Sequence, residues 1–121
     1  MNKENLFYLN KPKRYTLAEA KSILPMVQEI TNEALEKYDP IIDELNDPSA
    51  SLDTQADLAD QLQSVVDEWS EKLLHLGVHP KGLWLVDFDF GEGFYCWKLG
   101  ETDIDHFHGY EGNFNSRTRI Q

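Results

Sequence analysis

Apolar side chains in the first two thirds of the chain recur at intervals of three and four. They fall at Leu17, Ala20, Leu24, Val27, Ala34, Tyr38, Ile41 and Leu45, with Thr31 interrupting, and again at Leu58, Leu62, Val65, Trp69, Leu73 and Leu76. Such spacing lines each set along one face of an α-helix. Tyr15-Thr16-Leu17-Ala18-Glu19 supplies the first start: the Thr16 hydroxyl caps the first turn, and Glu19, three residues on, completes a capping box. Pro25 lies inside the stripe and is expected to bend the helix near Lys21 to Leu24, and Asp39-Pro40 predicts a second bend or an early end. Asn46-Asp47-Pro48-Ser49 marks a turn, and the second helix is predicted to begin between Ser49 and Asp53. Gly77, followed by apolar Val78, closes it with a left-handed cap. Helices joined by so short a turn form an antiparallel pair.

Beyond the linker His79-Pro80-Lys81-Gly82 the helical period gives way to alternation. Trp84 to Phe90 and Phe94 to Leu99 are aromatic and branched, and Gly91-Glu92-Gly93 lies between them, which predicts a β-hairpin. With Phe90 facing Phe94, one face carries Trp84, Val86, Phe88, Phe90, Phe94, Cys96 and Lys98 and is expected to lie on the helices. The other carries Leu85, Asp87, Asp89, Tyr95, Trp97 and Leu99, with Asp87 opposite Trp97 and Asp89 opposite Tyr95. A slip of one residue would exchange these roles. Gly100 breaks the second strand, Glu101-Thr102-Asp103 turns the chain, and Ile104 to Phe107 reads as a third strand with Ile104, His106 and His108 on one side. Residues 109–119 read as a polar tail pinned by Tyr110, Phe114 and Ile120. At the other end Met1 to Arg14 has no period, and Leu6 to Leu9 is either a short strand joining the sheet or part of a loose terminus. The expected fold is a single α+β domain over 1–121. It comprises an N-terminal arm (1–14), a long antiparallel helical hairpin (15–77), and a C-terminal β-hairpin or small antiparallel sheet with its tail (82–121).

Charge narrows the partners. The net charge is -11, and between Glu29 and Glu71 Lys37 is the only basic residue. Such a surface repels phosphate backbones and anionic lipid, so neither nucleic acid nor a membrane is expected as a partner. It is either a solvated face or an interface for a basic protein. Lys3, Lys11, Lys13 and Arg14 are too thin a cluster to reverse this. One cysteine and no apolar N-terminal run point to a reducing, cytoplasmic setting. The two helical stripes exceed what one hairpin covers, so a homodimer is expected.

Two constellations carry chemistry. His106 and His108, two apart on a strand, can face one way and hold a divalent metal, with Cys96, Glu101 and Glu111 as further ligands. No CxxC or HExxH spacing accompanies them. Asp87, Trp97, Glu101, His108 and Arg117 can form a polar ligand-binding pocket, or Arg117 can simply clamp Asp87 or Glu101 and fasten the tail. Cys96 reads as a small buried hydrophobe, although His106 or His108 beside it would offer a base for a nucleophile.

Several stretches together resemble a known family. They are Tyr15-Thr16-Leu17-Ala18-Glu19-Ala20 with Leu24-Pro25, Gly82-Leu83, Leu85-Val86-Asp87-Phe88, and above all Cys96-Trp97-Lys98-Leu99-Gly100-Glu101, followed by Ile104, Phe107-His108, Phe114 and Arg117. The chain resembles the small bacterial proteins grouped as domain-of-unknown-function family 2203. The family has Trp and Gly where this chain has Phe107 and Ser116, and another aromatic at His106. The resemblance implies a small bacterial cytoplasmic protein of helices plus a β element, and no activity. Two readings of function stay open: a non-enzymatic binding or interaction protein forming a homodimer, and a metal- or small-metabolite-binding protein, or an enzyme, using the hairpin pocket. The absence of a glycine-rich phosphate loop or nucleophile elbow leans against an enzyme.

Overall fold

The structure, a computed structural model, describes residues 13–121, so the strand expected at Leu6 to Leu9 lies outside the described residues. Helix α1 spans Leu17–Leu45 and α2 spans Leu52–His75. Both halves of the expected capping box form: the Thr16 hydroxyl accepts from the Glu19 N–H at 3.1 Å, and the Glu19 carboxylate accepts from the Thr16 N–H at 2.9 Å. The helix passes through Pro25 and Pro40 without ending at either. Ser51 caps α2 by accepting from the Thr54 N–H. Its far end closes as expected on Gly77, which adopts φ +76° while the N–H groups of Gly77 and Val78 reach back to the carbonyls of Leu74 and Leu73.

Five strands follow among the described residues: β1 His79–Gly82, β2 Leu85–Asp89, β3 Phe94–Lys98, β4 His106–His108 and β5 Thr118–Arg119. They form one antiparallel meander in the order β1-β2-β3-β4-β5. The linker is therefore itself a strand. Pro80 is tolerated there because β1 lies at the sheet edge, with the pairing shifted between Pro80 and Gly82. The polar tail likewise ends as the opposite edge strand, after a short 3-10 turn at Phe114–Ser116. No helix among the described residues is long and apolar enough to cross a membrane.

The hairpin forms, but one residue away from the expected register. Asp89 pairs with Phe94, Asp87 with Cys96 and Leu85 with Lys98. Phe90 is left in the loop, where its N–H bonds the Gly93 carbonyl at 3.0 Å. Val86 and Phe88 face the helices as expected, but their partners on β3 are Trp97 and Tyr95, not Lys98 and Cys96. Burial energetics favour this choice. The expected register would turn Lys98 toward the core and Trp97 away from it, whereas here Trp97 is 1% exposed and Lys98 lies at the surface. Ile104 also departs from expectation: it is buried in the core, while His106 and His108 lie on the opposite face of the sheet.

The core runs from the helix pair onto the inner face of the sheet. Trp84 stacks edge-on against Trp69 and Tyr38, at 5.1 and 5.2 Å between centroids, and Tyr15 meets Phe88 likewise. The Tyr15 N–H donates to the Asp89 carbonyl and its hydroxyl to the Leu76 carbonyl, tying the start of α1 to the ends of β2 and α2. Inside the stripe, Thr31 is wholly buried and accepts from the Trp69 indole N–H at 3.0 Å while donating to the Val27 carbonyl. Thr31→Val keeps the volume and removes that acceptor. Urea unfolding of this variant is expected to show a loss of about 1–3 kcal/mol, the penalty for a buried unsatisfied donor.

Candidate functional site

The register determines what the outer face of the sheet displays. Three neighbouring strands contribute buried side chains with polar atoms there, among them Asp87 from β2, Cys96 from β3 and His108 from β4. Asp87 and His108 reach toward each other across β3, and the His108 Nε2 lies 2.9 Å from Asp87 Oδ2. Both residues are at most 4% exposed. The ligand atoms of Asp87, Cys96 and His108 all lie within 4.8 Å of one another. Segment 110–115 lies across this face, and Gly93 lets the hairpin loop press on β4, since a Cβ there would meet the His108 carbonyl oxygen at 2.5 Å.

The hydrogen bonds limit the protonation of the pair. His108 Nδ1 lies 2.8 Å from the Gly109 carbonyl, which can only accept, so Nδ1 carries a proton. The contact between Nε2 and Oδ2 then holds one further proton, as imidazolium with carboxylate or as imidazole with carboxylic acid. Burial pushes the Asp87 carboxyl upward, outweighing the attraction of His108, the Cys96 thiol and Lys81. Asp87 Oδ1 is buried and has no hydrogen-bond partner. Burial and the neighbouring Asp87 carboxylate push the Cys96 thiol up to about 12, against an opposing pull from Arg117. A protonated thiol is a weak nucleophile, which argues against cysteine catalysis.

A second ion pair adjoins the first. Arg117 Nη1 reaches both oxygens of Glu101 at 2.9 and 3.0 Å, and the Arg117 guanidinium stacks 4.1 Å from the Phe114 ring centroid. Glu101 also accepts from the Lys98 N–H, and its other oxygen lies 3.6 Å from His106 Nδ1. Four of the expected pocket residues thus assemble as two pairs, Asp87 with His108 and Glu101 with Arg117. Trp97 does not join them: its ring lies on the inner face, donating to the Glu101 carbonyl at 2.8 Å. His106 shares the outer face with His108, as expected, but turns to Glu101 and is not part of the converging trio. Glu111 is exposed and also outside the trio.

Above the pair is a cavity of about 290 Å³, lined by Lys81, Asp87, Phe94, His108, Asn113 and Phe114 among others. Sequence reasoning missed Lys81, Asn113 and Asn115, which reach it from the linker and the tail. It also misplaced Cys96, whose pairing with Asp87 follows only from the correct register.

A family model described as an uncharacterized conserved protein (DUF2203) matches residues 13–120. The chain belongs to that family. No curated protein and no solved structure matches the chain. In this DUF2203 chain every residue of the trio and of both ion pairs lies inside the matched span.

A separate polar knot pins the start of the chain's described part to the tail. Asp89 Oδ1 accepts from the Tyr110 hydroxyl at 2.7 Å, the Gly91 N–H at 2.9 Å and Arg14 at 3.3 Å. Burial alone would raise this carboxyl, but the Tyr110, Gly91 and Arg14 donors outweigh it and hold it below the usual range. A depressed carboxyl stabilises the fold above its unfolded-state pKa, and that contribution is lost as pH falls through the folded-state value. Asp89→Asn is expected to cost roughly 1–3 kcal/mol at neutral pH. Chemical denaturation as a function of pH should show a smaller acid-limb loss for the variant than for the native chain.

Proposed function

We propose that this protein binds a small anion, a carboxylate or phosphate compound, in the cavity over the outer face of the sheet, without transforming it. The observation that carries this reading is Lys81. Its ammonium lies 4.9 Å from the Phe94 ring centroid at the cavity wall, and no carboxylate among the described residues lies within 4.0 Å of it. In a chain of net charge -11, a cationic group that faces only a carboxyl already paired with His108, beside an aromatic wall and the Asn113 and Asn115 amides, favours an anionic guest. The Asp87–His108 pair shares its proton at the floor and carries no net charge, so it does not oppose such a guest. The single buried cysteine supports the reducing, cytoplasmic setting.

The homodimer and the basic protein partner stand as separate proposals. The exposed Met26, Leu74 and Leu83 offer apolar contacts to a second copy, and the acidic helical faces offer charge to a basic protein. A sedimentation mass equal to one chain at micromolar concentration would count against the dimer.

The cavity reading is tested by titrating inorganic phosphate and then citrate while following backbone amide shifts. Shifts centred on Lys81, Phe94 and Asn113 to Asn115 are expected, and Lys81→Ala should weaken binding about tenfold, the equivalent of one lost charge-assisted contact. Shifts spread evenly over the surface, or an unchanged affinity in Lys81→Ala, would remove the reading.

A further inference from the structure

We infer that Asp87, Cys96 and His108 form a binding site for a thiophilic divalent cation of the zinc class. Each residue comes from a different strand, all three are buried, and one oxygen, one sulfur and one nitrogen converge within 4.8 Å. Oxygen, sulfur and imidazole nitrogen are the donors zinc takes, and tetrahedral bond lengths of about 2.0–2.3 Å separate such donors by about 3.3–3.7 Å. The trio therefore needs only a small adjustment around an ion.

Two further observations point the same way. Asp87 Oδ1 is buried and, apart from the weak pull of the Cys96 thiol, has no hydrogen-bond partner, an arrangement that is costly unless something binds it. His108 donates through Nδ1 to the Gly109 carbonyl, which fixes the ring and leaves Nε2 as the atom aimed at Asp87 and the trio. A backbone carbonyl on the far nitrogen is the usual orienting partner of a metal-binding histidine. The charges around the site are mixed. Lys81 and His79 on β1 face Asp87 and Arg117 faces Cys96, while Glu101 holds Arg117 and stands between it and His106. These cations oppose a divalent ion until Asp87 and Cys96 are both anionic. The Arg117 guanidinium, close to the sulfur, would then stabilise the thiolate.

Loading balances without any redox partner. The cation enters, Cys96 gives up its thiol proton, and the Asp87–His108 contact gives up the proton it holds. The charge of the ion is replaced by about two released protons, leaving a neutral centre of ion, thiolate, carboxylate and imidazole. Asp87 and His108 also line the cavity, so a fourth position would open toward it. In that respect alone the inference rests on the cavity reading, because an anion there would complete the shell.

The test is titration of the purified full chain with cobalt(II), then displacement by zinc. One ion per chain is expected, bound more tightly than micromolar, with a sulfur-to-cobalt charge-transfer band and the visible bands of tetrahedral cobalt. Calorimetry in buffers of different ionisation enthalpy should show about two protons released per ion. Cys96→Ser should abolish the charge-transfer band and weaken binding at least about tenfold, while His106→Gln should bind as the native chain does. Cys96→Ala and Asp87→Asn, checked for native melting, guard against loss through misfolding. Binding no tighter than micromolar, a spectrum without the sulfur band, equal affinity in Cys96→Ser, or no proton release would each overturn the site. Phosphate binding that persists in protein that takes no metal would remove this site and leave the cavity reading standing. Metal binding without phosphate binding would do the reverse.

Discussion

The burial of Trp97 against the helices is the constraint on which the rest of the sheet depends. Side chains on a strand alternate, so placing Trp97 and Tyr95 inward commits Phe94, Cys96 and Lys98 outward. The same alternation on β2 sends Asp87 and Asp89 to the outer face when Val86 and Phe88 go in. An indole is worth far more in a core than a lysine, so the helices impose the polar character of the opposite surface. The polar trio is in this sense the complement of the apolar core.

Much of the helical architecture was legible in the chain. Threes and fours of apolar residues, the Thr16–Glu19 box and Gly77 each specify local geometry that needs no distant partner, and each takes the form expected. The two prolines show the limit of local rules: packing carries α1 through both positions. The sheet was harder because register is a non-local choice. Phe90 and Phe94 look like a natural pair across a three-residue loop, yet Phe90 belongs to the turn and the pairing starts one residue earlier. The charge of Lys98 held the clue, since the alternative register turns it toward the helices.

The site was half legible for the same reason. Asp87 and His108 meet, and Glu101 and Arg117 meet, because each pair combines charge with reach. Trp97 was drawn into the pocket only by the slipped register. Cys96 was hidden by it, although it stands directly opposite Asp87. Lys81, Asn113 and Asn115 gave no local signal, since linker and tail residues acquire meaning only when the topology brings both ends of the meander to one cavity.

The cover over the trio comes from the tail, which ends in the shortest strand of the sheet. Strand β5 has two residues, and the tail leading to it is anchored by the Tyr110 hydroxyl, the Glu101–Arg117 pair and the bond from the Ile120 N–H to the Asp105 carbonyl. Ile120 adds an apolar contact at the margin of the core. An opening confined to residues 110–121 would leave the helix pair and strands β1 to β4 in place. Such an opening would uncover the cavity over Asp87 and His108 while the pedestal of helices stays intact.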